Sequence, residues 1–78
     1  MKVNSAITST PLPREGGGSY VGYGIRLTAE DGSASTVEDI SPDRERVEAL
    51  ARLFEAEQLE PVHLFDAVYD ALSDGALL

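Results

Sequence analysis

Seventy-eight residues and 8.3 kDa leave room for one domain. Fourteen acids face six bases, and the net charge of -8 argues against direct nucleic-acid binding, because a chain this small that neutralises phosphates carries a basic face. The absence of cysteine removes disulfides, thiolate metal sites and thiol nucleophiles, and no run nears the ~18 apolar residues of a membrane span or resembles a signal peptide, so a cytoplasmic protein with no membrane contact is expected.

The charge is unevenly placed. Residues 1–37 balance Lys2, Arg14 and Arg26 against Glu15, Glu30 and Asp31, whereas residues 38–78 set three arginines against eleven acids. Composition changes at the same point, from Gly, Ser, Thr and Tyr to Ala, Leu, Glu and Arg. One domain spanning residues 1–78 is predicted, with a β half over about 1–40 and an α half over about 41–74.

In chain order, Val3 and Ile7 suggest a first strand over residues 2–9. Pro11, Pro13 and Gly16–Gly18 predict a loop, since proline cannot donate to a ladder and glycine is costly to order. From Ser19 to Ala29 the alternation is strict: Val21, Tyr23, Ile25 and Leu27 share one face, which predicts a strand. Asp31-Gly32 supplies the positive backbone angles of a tight turn, and residues 33–40 return as a third strand with Val37 as its clearest apolar member. Val21-Gly22-Tyr23-Gly24 looks like a potassium-channel filter, but the flanking membrane helices are missing. Gly16–Gly18 lacks the Lys-Ser/Thr of a phosphate loop. Gly22 and Gly24 on one strand face mark either a close backbone approach or a bulge.

Ser41-Pro42 reads as a helix start, with Ser41 capping and Pro42 in the first turn. Asp43 and Glu45 suit the positive end of the dipole. Val47, Leu50, Ala51 and Phe54 form the buried stripe of a helix over 43–57, and Glu48 and Arg52 stand in the favourable i,i+4 order. A break at Gln58–Glu60 precedes Pro61, which opens a second helix running to about Ser73, with Gly75 as its C-terminal cap. At about 100° per residue from Val62, Leu64, Phe65, Val68, Tyr69, Ala71 and Leu72 occupy roughly 180° to 340° of this helix. His63, Asp66, Asp70 and Asp74 occupy roughly 40° to 120°.

That acidic ridge is the candidate interaction face: His63, Asp66, Asp70 and Asp74. It is either a recognition surface or a solvated one that keeps a small protein soluble. His63 and Asp66 share a face as metal ligands would, yet zinc takes three or four ligands, so no metal and no cofactor is assigned. A bridge from Arg26 or an arginine of the first helix to Asp66 or Asp70 is the simpler expectation. One histidine and no cysteine give a nucleophilic pair little to build on, and exposed acids lack the shifted pKa that acid–base catalysis needs; no catalytic residue is assigned and no enzyme expected.

Tyr23-Gly24-Ile25-Arg26, Asp39-Ile40-Ser41 and Leu59-Glu60-Pro61-Val62-His63-Leu64, followed by Asp66, Val68, Asp70 and Leu72, carry a resemblance over residues 20–72. The chain resembles a family of small uncharacterised proteins, mostly from Gram-positive anaerobic bacteria, catalogued as a domain of unknown function. It departs from them at Glu60, where they favour a Ser cap, and at Ala71, where they carry a bulkier residue. The resemblance implies the element order and no activity, substrate or cofactor.

The expected fold is α+β: an antiparallel meander of two or three strands followed by a two-helix hairpin on one sheet face. Val21, Tyr23, Ile25 and Leu27 should meet Val47, Leu50, Phe54, Phe65, Val68 and Leu72 in one core. The expected function is a non-enzymatic protein-interaction or regulatory module, monomeric or weakly dimeric, whose acidic helices meet a partner's basic surface. A DNA mimic that occupies a basic groove is a special case. The alternative is a small-ligand or divalent-ion binder using His63, Asp66 and Asp70.

Overall fold

The segment of strict alternation becomes the middle of the sheet. In the computed structural model, which describes residues 2–73, β1 (Val3–Pro13), β2 (Ser19–Ala29) and β3 (Ala34–Ser41) form an open antiparallel sheet in that order. The chain continues through α1 (Arg44–Ala56), a single 3-10 turn (Pro61–His63) and α2 (Leu64–Ser73). Val3, Ile25, Leu27 and Ala29 turn inward from the sheet, with Ile7, Tyr23 and Val37 half-buried beside them. Over them α1 places Val47, Leu50, Ala51 and Phe54, and α2 places Leu64 and Val68. α1 lies mainly against β1 and β2, α2 against β3, which makes the fold α+β.

Three residues expected in the core lie outside it: Val21, Phe65 and Leu72 are exposed. Val21 has the right parity but stands too far along the hairpin. Eleven paired residues reach about 36 Å, whereas the thirteen residues of α1 span about 20 Å, so the far end of the β1–β2 hairpin has no helix above it. Phe65 and Leu72 belong to the site described below.

The prolines do not end β1, contrary to the expected loop. Pro11 pairs opposite Val21 and Pro13 opposite Ser19. Parity explains why. Val3 and Ser5 point their N–H groups away from β2, donating instead to Gln58 Oε1 at 2.8 Å and to the Glu55 carboxylate at 3.2 Å. Residues 11 and 13 share that outward parity, so an edge strand loses no ladder bond by placing proline there. The loop shrinks to Arg14–Gly18, where Gly17 N–H donates to the Arg14 carbonyl and Gly16 supplies the positive φ of 88° that a type II turn needs. The β2–β3 turn differs from expectation in a similar way. Gly32 alone has positive φ; its N–H donates to the Ala29 carbonyl and Ala29 N–H to that of Ser33, a type I turn closed by a glycine bulge.

β3 carries the largest irregularity. Tyr23 pairs with Ser41 and Ile25 with Val37, so between these pairs Gly24 alone of β2 faces three residues of β3. The excess is taken up at Asp39, whose φ of 54° is left-handed. Strict alternation would point Ile40 to solvent; beyond the bulge Ile40 and Ser41 are both buried. Gly24 makes this possible. A Cβ there would collide with the Val37 carbonyl oxygen and stand 2.7 Å from the Cα of Glu38.

From the bulge the chain enters α1. The helix cap is Asp43 rather than Ser41: its carboxylate accepts from the N–H groups of Glu45 and Arg46, while Ser41 Oγ accepts from Asp43 N–H one turn earlier. Pro42 therefore precedes the cap. Glu48 pairs with Arg44 at 2.6 Å instead of the expected Arg52. At the far end Gln58 adopts φ 54°, Leu59 N–H donates to the Phe54 carbonyl and Gln58 N–H to that of Glu55, a Schellman cap built without glycine. The Gln58 amide then reaches Val3, accepting from its N–H and donating to its carbonyl at 3.2 Å. Beside it Glu55 accepts from Ser5 Oγ at 2.6 Å.

Two measurements check this account. Gly24→Ala should lower stability by about 3 kcal/mol, because rigid backbone lies in the way. Gly22→Ala meets only the ends of the Asp39 and Leu12 side chains and should cost about 1 kcal/mol or less; urea midpoints distinguish the two. The hydroxyl and then the N–H of Ser5 hold the Glu55 carboxyl below its ordinary pKa. A carboxyl depressed in the folded state contributes stability above its unfolded pKa and loses it as pH falls through the folded value. Ser5→Ala should therefore flatten the acid limb of a stability–pH curve below about pH 5.

Candidate functional site

α2 follows from its anchors. Pro61 is buried and opens the 3-10 turn, in which His63 N–H donates to the Glu60 carbonyl, and Leu64 is fully buried where the α-helix begins. Glu60, the N-cap of this turn, makes no side-chain cap bond. With Leu64 and Val68 fixed against the sheet, the helical repeat dictates what points outward.

His63, Asp66 and Asp70 are all exposed on that outward side. His63 Nε2 lies 4.0 Å from Glu60 Oε2. Asp74, the fourth residue of the expected ridge, and Gly75, the expected cap, lie outside the described residues. The expected bridges to this ridge do not form. Among the described residues the ion pairs join Arg44 to Glu48, Arg46 to Asp43 and His63 to Glu60. Arg26 has the parity of the sheet face opposite the helices, and the two paired arginines of α1 are held by acids on their own helix or its cap. No three His, Asp or Glu side chains among the described residues stand close enough to hold a metal ion.

The unexpected part of the site is apolar. Phe65 is 67% exposed and Tyr69 64%, with Leu72 and Val62 exposed beside them. The sequence contains the signal for this. An apolar arc of about 160° is wider than the ~100° stripe one supporting surface covers. The sheet takes the part holding Leu64 and Val68, and the part holding Leu72, Phe65 and Tyr69 is left against water. It forms an open groove with Val37 of β3, of about 100 Å³. Asp66 and Asp70 follow on the adjacent arc, so one helix presents an oily strip and an anionic ridge side by side.

A second, larger cleft of about 380 Å³ lies between β1 and α1, lined by Ser5, Ile7, Arg44, Glu48 and Arg52 among others. It is wide open, and its Arg44 is engaged by Glu48 and lies over the Tyr23 ring at 5.9 Å. No helix of the described residues is long and apolar enough to cross a membrane.

These features define a small α+β domain of three strands and two helices whose distinguishing surface is one amphipathic helix. Residues 6–74 match the model of the family of unknown function DUF6514, and the chain belongs to that family. No curated protein and no solved structure matches it.

If the ridge is solvated, neutralising it removes like-charge repulsion at i,i+4 and nothing else. Asp66→Asn with Asp70→Asn should leave stability unchanged or raise it by up to about 0.5 kcal/mol in thermal unfolding; unfolding of the double variant would show that the aspartates carry structure.

Proposed function

We propose that this protein is a non-enzymatic protein-interaction or regulatory module that docks through α2 onto a partner with a basic surface. The observation that carries the reading is the adjacency, on one helix, of two aromatic rings about two-thirds exposed and two exposed aspartates. Fully burying a side chain of this kind is worth about 1.5–3 kcal/mol, and a partner surface would recover the part that the sheet leaves unused. The aspartates supply orientation and rate: complementary charge speeds encounter and makes binding weaken with salt.

The immobilised chain should capture from lysate a protein that elutes as salt rises. Capture should fail for a Phe65→Ser, Tyr69→Ser variant whose amide NMR spectrum remains folded. It should weaken for the Asp66→Asn, Asp70→Asn variant. Equal capture by all three forms would place docking elsewhere and sink the reading.

A further inference from the structure

The groove on α2 has a spacing as well as a chemistry. Phe65, Tyr69 and Leu72 stand at i, i+4 and i+7, the pattern by which one helix offers side chains to another lying along it. Seven residues of helix rise about 10 Å, enough for about two turns of a facing helix. Val37 and Val68 form the floor. The charge on the helix that lines the groove, and on the turn leading into it, has one sign: from Leu59 to Ser73 the sequence holds no Lys or Arg, while Glu60, Asp66 and Asp70 fall there.

Other occupants fit less well. A strand would need a regular edge, yet β3, the edge beside the groove, is interrupted by its bulge between Val37 and Ser41. A second copy of the chain would bring another net charge of -8 and set its own Asp66 and Asp70 against these.

We infer that this groove takes a cationic amphipathic helix of the partner, laid along α2 with its apolar residues over Phe65, Tyr69 and Leu72 and its lysines or arginines over Asp66 and Asp70. The inference rests on the interaction-module reading and names the occupant. Three synthetic peptides of about fourteen residues test it against the isotope-labelled full chain: an amphipathic Leu/Lys helix, a scrambled peptide of the same composition, and a Leu/Glu helix of the same pattern. The Leu/Lys helix should move the amides of Val37, Phe65, Val68, Tyr69 and Leu72. Its affinity should fall about tenfold as salt is raised from about 20 to 500 mM. Either Phe65→Ser or Tyr69→Ser should weaken it about tenfold, and Asp66→Asn with Asp70→Asn should reduce the salt dependence.

Equal binding of the scrambled or Leu/Glu peptide, or shifts confined to other residues, overturns the inference. So does self-association of the chain, in sedimentation without peptide, that moves the same amides, since a second copy then fills the groove. If the Leu/Lys helix fails while lysate capture still depends on Phe65 and Tyr69, the occupant is wrong and the module reading stands. If capture is also independent of those residues, both fall.

Discussion

At Gly24 the backbones of β2 and β3 approach more closely than any side chain would permit, and the rest of the molecule follows from that approach. The two surplus residues of β3 are accommodated only because the Val37 carbonyl and the Glu38 Cα occupy the space of a Cβ. Asp39 takes up a left-handed backbone and Ile40 turns into the core instead of out of it, while the surplus of two residues leaves Ser41 on the parity of Val37. Ser41 then faces inward, its hydroxyl accepts from Asp43 N–H, and Asp43 caps α1. The path of the chain into the first helix thus runs through the space left by one missing methyl group. The segments Tyr23-Gly24-Ile25-Arg26 and Asp39-Ile40-Ser41 are separated in the chain and form opposite sides of this one bulge.

Much of the fold was legible because local signals agreed with one another. The alternation of residues 19–29 places Ile25 and Leu27 in the core, and the stripe Val47, Leu50, Ala51 and Phe54 is the buried face of α1. What stayed hidden depended on partners distant in sequence. Pro11 and Pro13 read as loop because nothing local reveals that β1 lies at an edge with its odd N–H groups facing away from the sheet. Ser41 looks like a cap by composition, but the bulge before it shifts the helix start to Asp43. The glycines of β2 announced either a close approach or a bulge; the structure has both at Gly24.

The candidate site was half legible. Periodicity alone placed His63, Asp66 and Asp70 on the wet side of α2, and there they lie. It also placed Phe65 and Leu72 in the core, because a helical wheel shows which residues share an arc and not how much of that arc a neighbouring surface can cover. A three-stranded sheet ending at a bulged edge offers room for Leu64 and Val68, with Ala67 and Ala71 half-buried beside them, and leaves the larger side chains of the arc outside. The overhang is what distinguishes α2 from α1, whose polar face carries both signs of charge and whose apolar stripe is used up internally.

Gln58 has a consequence for the order in which the chain can become native. Its side-chain amide stands in for the missing neighbour strand at Val3, across fifty-five positions of sequence, and Glu55 does the same for Ser5 across fifty. On a ribosome the outer rim at Val3 and Ser5 stays without these partners until Glu55 and Gln58 have emerged. β1 therefore gains its outer hydrogen bonds only after α1 has been made, and a nascent chain halted before Gln58 lacks the amide that holds Val3.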